Sequence, residues 1–226
     1  MDEIILIDKP KNMTSFGVVA RVRRVLSERA EKRVKVGHTG TLDPFATGLL
    51  IILAGKATKR SNEFLKLDKE YIAEIKLGEI STTGDPEGEI SRSFDENEGE
   101  VPSRARVEEV LEKFKGEIFQ KVPAFSAVKI NGERAYKLAR RGKEFSTPER
   151  KVKIYEIEIL DYSFPKLKIR TKVSSGTYIR TLGEDIGKEL GTGAYLTELR
   201  RTKIDKYKVE NAQKLDDFLI DKSVLS

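Results

Sequence analysis

Apolar residues are spaced along the chain in patterns that predict both strands and helices. Residues 49–54 are continuously apolar over a strand's length, which predicts a buried strand. Residues 4–8 predict a second, short buried strand. Three further stretches alternate apolar and polar residues, as strands with one buried face do: residues 70–78, 151–160 and 167–173.

Helical periodicity predicts the other elements. After Thr14 and Ser15, either of which can cap a helix, apolar residues recur at helical spacing over residues 18–26. The same reasoning predicts helices over residues 57–67, 107–114 and 211–219, a passage from strand to helix over residues 174–187, and a short basic helix within residues 132–142. The sequence contains no internal repeat, low-complexity tract or clear linker, so we expect one domain.

A polar, glycine-punctuated loop at residues 37–48 leads into the apolar run. It contains the only histidine of the chain, His38, and an aspartate, Asp43, which the following proline restricts to extended or turn conformations. Its glycines allow backbone geometries that other residues forbid. The residues alone leave two interpretations open: a turn in which Asp43 caps its own backbone, or a loop that holds one carboxylate beside a ligand.

The amino-acid composition argues against several kinds of functional site. The chain has 226 residues and a formal net charge of +6. Without cysteine it has neither disulfides nor a cysteine nucleophile, and a single histidine argues against a zinc site. No apolar run reaches membrane-spanning length and the first residues lack a signal-peptide pattern, so we expect a cytoplasmic protein with no membrane contact. Basic clusters at residues 21–35, 134–153 and 200–208 predict either a track of phosphate contacts or solvated surfaces.

Residues 37–44 read Gly-His-Thr-Gly-Thr-Leu-Asp-Pro and resemble the signature loop of the TruB family of RNA pseudouridine synthases. The resemblance implies that Asp43 is the catalytic residue. Residues 7–15 follow the pattern Ile-Asp-Lys-Pro-x-x-Met-Thr-Ser and resemble the first motif of the family, in which the turn at the lysine, Lys9 here, supports the active site. Residues 81–88 are similar to the family's Thr-x-Thr-Asp/Gly-Asp segment.

Further family motifs imply roles for individual side chains. The Lys-x-Tyr motif falls on Lys69 and Tyr71, and the resemblance implies that the Tyr71 ring stacks on the target uracil. The motif Gly-Thr-Tyr-Ile-Arg implies that its arginine, Arg180, pairs with Asp43 and that its tyrosine, Tyr178, packs in the pocket.

Two more stretches are similar to family motifs. Residues 120–129 resemble Gln-x-Pro-Pro-x-Tyr-Ser-Ala-x-Lys and end on Lys129. Phe125 departs from that pattern, because it stands where tyrosine is usual. Residues 193–207 resemble the last core motif of the family, which implies that Leu199 lines the uracil pocket.

The resemblance therefore implies a complete set of site residues. The catalytic residues are expected to be Asp43, Tyr71 and Arg180, and substrate or RNA contacts are expected from His38, Thr41, Leu42, Lys69, Lys129, Tyr178, Leu199, Lys9 and Arg141. His38 is either the residue that holds flipped nucleotides or a structural histidine. Asp43 acts either as a nucleophile or as a base at the ribose, and the sequence leaves both roles open.

The resemblance also implies the architecture. We expect an α/β (α+β) fold with a mixed, mostly antiparallel central sheet flanked by helices, and an active-site cleft across the sheet. A single catalytic domain is expected over residues 1–226, in which residues 123–150 form a mobile segment that clamps RNA. No C-terminal domain of the PUA type is expected.

The implied reaction isomerises uridine to pseudouridine and needs no cofactor. Its implied substrate is the TΨC stem-loop of tRNA, at uridine 55, whose base is flipped out of the stack. We expect a monomer. The alternatives are a guide-RNA-dependent synthase of the dyskerin type and an RNA chaperone that folds tRNA without catalysis. The chaperone would need the basic surface but not Asp43 and Arg180 together.

Overall fold

The computed structural model describes residues 2–97, 99–126, 128–130, 132–143 and 145–220. The strands are β1 (Glu3–Lys9), β2 (Val36–His38), β3 (Thr47–Ala54), β4 (Lys69–Leu77), β5 (Glu79–Ser81), β6 (Ile90–Arg92), β7 (Gly116–Lys121), β8 (Lys129–Ile130), β9 (Glu133–Arg134), β10 (Glu149–Ser163), β11 (Lys166–Val173), β12 (Ala194–Ile204), β13 (Tyr207–Lys208) and β14 (Gln213–Lys214). The α-helices are α1 (Ser15–Arg29), α2 (Ser61–Leu65), α3 (Arg104–Lys113), α4 (Ala135–Arg140), α5 (Ile179–Leu190) and α6 (Leu215–Ile220). Short 3₁₀ helices span Gly55–Arg60 and Val209–Asn211.

The fold is mixed α/β, with a large, mostly antiparallel sheet flanked by helices, and this confirms the predicted fold class. The chain forms two compact units: Met1–Ile72 with Leu199–Ser226, and Ala73–Glu198. Strands β4 and β12 each contribute residues to both units. Within the described ranges, no helix is long and apolar enough to cross a membrane.

Strand β3 is the centre of the first unit. It pairs antiparallel with β1 and with β2, and parallel with β12. One face of β3, with Leu50 and Ile52, packs in a cluster with residues of α1 and α6. The other face, with Leu49 and Ile51, packs in a cluster with residues of both 3₁₀ helices and of α2. Burial on both faces explains the continuous apolar run and confirms the buried strand predicted at residues 49–54.

A glycine allows β3 and β12 to approach each other. Arg200 and Arg201 lie opposite Thr47 and Gly48, and Gly48 has a φ of +104°. A Cβ atom at Gly48 would lie 2.3 Å from the Arg201 carbonyl oxygen. Only glycine permits this approach, and it fixes the start of β3 directly after the loop that carries Asp43.

Thr14 caps α1, which settles the choice that the sequence left open. The Thr14 hydroxyl oxygen accepts the Gly17 backbone N–H at 2.9 Å. The buried face of α1 confirms the predicted helix and consists of Ser15, Val18, Val19, Val22, Val25 and Leu26. Because Thr14 is the cap, the Ser15 hydroxyl is available for another partner.

Two predicted helices are wrong in part. The stretch 57–67 begins as a 3₁₀ helix and continues as the short helix α2. There the Thr58 hydroxyl donates to the Gly55 carbonyl oxygen at 2.8 Å and competes for an acceptor that an α-helix would use. The helix predicted at residues 211–219 begins only with α6, because the preceding residues form β14 and pair with β1.

The second unit contains the long antiparallel strands. Strand β10 pairs with β11 on one side and β7 on the other, which confirms the strands predicted at residues 151–160 and 167–173. Helix α5 contacts α3 and ends at Gly191, whose φ of +76° provides a left-handed cap. The hairpin of β8 and β9 leads into α4, which confirms the short helix predicted within residues 132–142.

Candidate active site

The glycine-punctuated loop at residues 37–48, called the signature loop below, runs from the end of β2 into the start of β3. Its central turn is closed by a hydrogen bond from the Ala46 backbone N–H to the Asp43 carbonyl oxygen at 3.2 Å. Pro44 occupies the second position of this turn, where its fixed φ is favourable. Asp43 is half-buried and Thr41 is exposed. The backbone of the turn therefore determines where the Asp43 side chain begins.

The Ser15 hydroxyl holds the residue that precedes Asp43. Its Oγ accepts the Leu42 backbone N–H at 2.8 Å and donates to the Leu42 carbonyl oxygen at 2.9 Å. Ser15 and Leu42 are both buried. One side chain thus satisfies both backbone groups of a buried residue and ties the loop to the start of α1.

Arg201 links the loop to the strand that follows it. Its Nε donates to the Leu49 carbonyl oxygen at 2.7 Å and its Nη2 donates to the Gly40 carbonyl oxygen at 3.1 Å. The residue is 1% exposed. The prediction that residues 200–208 contact phosphates is therefore wrong for Arg201, which instead organises the interior.

Lys9 holds the middle of the loop. Its buried ammonium donates to the carbonyl oxygens of Pro44 at 3.2 Å and Met13 at 2.5 Å. The signature loop is therefore held at three points of its backbone: Arg201 binds Gly40, Ser15 binds Leu42 and Lys9 binds Pro44. Such anchoring pre-organises a loop and so limits where its side chains can lie.

Lys69 directs its ammonium group into the protein. It donates to the carbonyl oxygens of Leu65 at 2.8 Å and Leu67 at 2.5 Å. Burial lowers the pKa of Lys69 to about 8, and the positive charge of Arg201 contributes to the same shift. Lys69 is 7% exposed and binds backbone carbonyls just before β4 begins, so its ammonium is directed away from the solvent.

Tyr71 and Leu199 lie on neighbouring strands of the first unit. Tyr71 belongs to β4 and is 8% exposed, while Leu199 belongs to β12 and is 7% exposed. Both side chains are therefore nearly covered by protein, with a small part of each at the surface. His38, at the end of β2, is half-buried.

Arg180 is the most densely bonded of the predicted side chains in the second unit. Its Nη1 donates to the Thr83 carbonyl oxygen at 2.9 Å and its Nη2 donates to the Phe125 carbonyl oxygen at 2.8 Å. Nη1 also lies 3.3 Å from Oδ2 of Asp85, and both side chains are buried. The hydroxyl lost at Phe125 is not needed for this contact, because the backbone supplies the acceptor.

Asp85 is itself fixed in place. Its Oδ1 accepts the Thr83 hydroxyl at 2.6 Å and the Glu87 backbone N–H at 3.0 Å. Nearby, burial raises the pKa of the Glu184 carboxyl, against the opposing effect of the Arg180 charge. Arg180 therefore lies among carboxylates of its own unit.

Gln120 holds Tyr178 in the way that Ser15 holds Leu42. The Gln120 amide accepts the Tyr178 backbone N–H at 3.0 Å and donates to the Tyr178 carbonyl oxygen at 3.2 Å. Gln120 is buried in β7, and Tyr178 is the N-cap residue of α5. This pair fixes the start of the helix that carries Arg180.

The remaining predicted residues lie at the surface of the second unit. Lys129 is exposed in β8, and Arg141 follows α4 and forms an exposed ion pair with Glu133 at 2.7 Å. In the part of the chain that the structure describes, no group of three or more histidine, aspartate or glutamate side chains could hold a metal ion.

The structure thus assigns the predicted residues to two groups. Lys9, Leu42 and Asp43 meet in the signature loop of the first unit, and Tyr178 and Arg180 meet at the start of α5 in the second. The pairing of Asp43 with Arg180 stays a prediction. Sequence reasoning missed the residues that position these groups: Ser15, Asp85, Gln120 and Arg201. All four could have been found, because each lies within a stretch that resembles a family motif.

Comparisons with known proteins place the chain in a family. Residues 23–179 match the TruB family pseudouridylate synthase (N terminal domain), and residues 180–224 match the tRNA pseudouridylate synthase B C-terminal domain. A tRNA pseudouridine synthase B of Parabacteroides distasonis is 46% identical over 96% of this chain and 93% of the relative. Its counterpart from Aquifex aeolicus is 47% identical over 97% of this chain and 74% of the relative.

A solved structure shows the same fold. A chain in the crystal structure of a Cbf5-Nop10-Gar1 complex is 33% identical and superposes with a TM-score of 0.71. The match covers 96% of this chain and 53% of the solved one, so this chain spans about half the length of that structure. From the family match, the relatives and the shared fold, it follows that the chain belongs to the TruB family of pseudouridylate synthases.

Proposed function

We propose that the chain converts uridine to pseudouridine in tRNA, at uridine 55 of the TΨC stem-loop, with Asp43 as the catalytic carboxylate. The observation that carries this proposal is the anchoring of the signature loop. Buried side chains bind the backbone of Leu42 and Pro44, the residues on either side of Asp43. A half-buried carboxylate held from both sides suits a reaction in which the reacting groups must be positioned closely.

The reaction is an isomerisation: the product nucleotide has the same composition as the substrate, and only protons are exchanged with the solvent. The N1–C1′ bond of uridine breaks, the base turns, and a C5–C1′ bond forms. The proton on C5 is lost and N1 gains one. Asp43 acts at the ribose, as a nucleophile or as a base, and either role requires the carboxylate to be ionised. Arg180 is the proposed partner of the Asp43 carboxylate. Its positive charge stabilises the ionised carboxylate once the substrate has displaced the surrounding water.

The other predicted residues have roles in binding the flipped nucleotide. A base inside a helical stack is out of reach of an enzyme, so it must be rotated out. Tyr71 is proposed to stack on the uracil and Leu199 to line its pocket. Only a small part of each side chain is exposed, which is consistent with contact to a single base. His38 is proposed to hold nucleotides that leave the stack.

The phosphate backbone is proposed to bind exposed basic residues, including Lys129 and Arg141. Arg141 would exchange its exposed partner Glu133 for a phosphate at small cost, because exposed ion pairs contribute little. Binding should therefore weaken steeply as salt rises. We further propose that the protein acts as a monomer in the cytoplasm.

Tritium release tests the proposed function. A TΨC stem-loop transcript labelled with tritium at C5 of uridine is incubated with the purified chain and no other RNA or protein. Release of tritium to water at the target uridine supports a stand-alone synthase. Binding without release would overturn the proposal in favour of a chaperone. Release only after a guide RNA and its partner proteins are added would favour the guide-dependent alternative.

A further inference from the structure

Phe16 is an exposed aromatic residue beside the signature loop. Its side chain is 66% exposed, although it lies in the first turn of α1. It directly follows Ser15, whose Oγ binds both backbone groups of Leu42. Phe16 is therefore the sequence neighbour of the residue that binds the signature loop.

Arg23 fixes the direction in which this ring lies. Its guanidinium carbon is 5.9 Å from the centroid of the Phe16 ring. Its Nη2 donates to the Val36 carbonyl oxygen at 3.5 Å. Because one guanidinium reaches both groups, Phe16 lies on the side of α1 that faces β2, the strand that ends at His38.

The charge of this part of the surface favours a polyanion. Residues 21–35 contain seven basic residues and two acidic ones. Lys32, Arg33 and Lys35, which follow α1, are exposed. Single exposed apolar side chains are ordinary, so the exposure of Phe16 alone does not indicate a binding site. The combination of an aromatic ring, a guanidinium against it and a surrounding basic surface is typical of sites that stack bases and track a phosphate backbone.

We propose that Phe16 and Arg23 form a stacking platform for an unpaired base of the RNA substrate, a neighbour of the target nucleotide. Phe16 supplies the apolar face, and Arg23 holds the ring and provides positive charge for the adjacent phosphate. The proposal rests on the proposed function, since it assumes an RNA substrate. It adds a residue at the start of α1 to the predicted RNA contacts.

The absence of tryptophan from the chain allows a direct test. Phe16→Trp introduces a single fluorophore at the proposed platform. Phe119→Trp is the matched control, because Phe119 is 69% exposed on β7 in the second unit. Adding a TΨC stem-loop should quench the fluorescence of Phe16→Trp and leave that of Phe119→Trp unchanged. Equal responses of the two variants, or no response while the RNA binds, would overturn the proposal.

Affinity provides the second measurement. We expect Phe16→Ala and Phe16→Leu to raise the Kd for the stem-loop about tenfold, because a stacking contact is lost while the charge is kept. Phe16→Tyr and Phe119→Ala should bind as the wild type does. A Phe16→Leu variant that binds normally would show that aromaticity is irrelevant and would overturn the platform.

Two further results separate this proposal from its alternatives. If Phe16→Trp fluorescence depends on protein concentration without RNA, the surface mediates self-association and the RNA platform is wrong. Tritium release by the wild type is measured in parallel. If the wild type releases tritium normally and Phe16→Ala binds the stem-loop with wild-type affinity, only the platform is contradicted. If the stem-loop binds and quenches Phe16→Trp fluorescence but the wild type releases no tritium, only the proposed function is contradicted.

Discussion

The Ser15 hydroxyl binds both the backbone N–H and the carbonyl oxygen of Leu42, the residue that precedes Asp43. The two residues are 27 positions apart in the chain and both are buried. This contact joins the start of a helix to the loop that carries the proposed catalytic carboxylate. It makes the position of Asp43 depend on a side chain that itself contributes nothing to the chemistry.

Ser15→Ala should therefore lower kcat more than it weakens RNA binding. Small displacements of a reacting group are costly, so we expect kcat to fall about 10- to 100-fold. Stability should fall by about 1–3 kcal/mol, because two buried backbone groups lose their partner. Thr14→Ala is the matched control, since losing the cap costs about 1 kcal/mol without touching Leu42. Equal loss of kcat in both variants would show that Ser15 acts only through stability.

Asp85→Asn should destabilise the protein by about 3 kcal/mol, because it leaves the buried Arg180 charge without this carboxylate. Denaturant unfolding measures the loss. Glu189→Gln is the control, because the ion pair of Glu189 with Lys113 is exposed and its removal should have no measurable effect. If the two variants are equally stable, the contact of Asp85 with Arg180 does not contribute to the stability of the fold.

Lys69 should make the protein more stable as the pH rises. Its folded-state pKa of about 8 lies below its ordinary value of 10.5, so between these values the unfolded chain binds the extra proton. The free energy of unfolding should therefore rise by about 3 kcal/mol across this window, and the gain should be lost as the pH falls through 8. Lys69→Met should lack this rise, which unfolding curves at several pH values would detect. If the free energy of unfolding rises equally with pH in the wild type and in Lys69→Met, the lowered pKa of Lys69 is contradicted.

Gly48→Ala should destabilise the protein more than Gly116→Ala. Both glycines have positive φ, +104° and +96°, so each alanine costs about 1–2 kcal/mol in backbone strain. Only at Gly48 would the Cβ atom meet the Arg201 backbone, whereas Gly116 has no atom within 4 Å of that position. We expect the clash to add about 2 kcal/mol or more. Similar unfolding free energies would show that β3 and β12 can move apart there.

Local patterns were sufficient for most of the fold. The apolar run at residues 49–54 and the periodic positions of α1 each belong to one element, and their burial follows from spacing alone. The helix predicted at residues 211–219 failed for a different reason. Gln213 and Lys214 within it form β14 by pairing with β1, and a partner about two hundred positions away leaves no trace in a local pattern.

The same distinction separates the predicted site residues from those that were missed. Family motifs point to residues that are expected to contact the substrate, such as Asp43 and Arg180. They do not show which side chains hold the backbone behind them. A serine at the start of a helix suggests a cap, and Arg201 in a basic stretch suggests a surface. Only the structure shows that each binds the backbone of the signature loop.

The most direct test of the account is tritium release by Asp43→Asn, measured beside its affinity for the same stem-loop. Asn has nearly the same size and cannot act as a nucleophilic or basic carboxylate. Asp161→Asn, at an exposed position in β10, controls for the loss of one negative charge. We expect no release from Asp43→Asn with RNA binding preserved, and normal release from Asp161→Asn. Release by Asp43→Asn at the wild-type rate would contradict the central claim that Asp43 is the catalytic carboxylate.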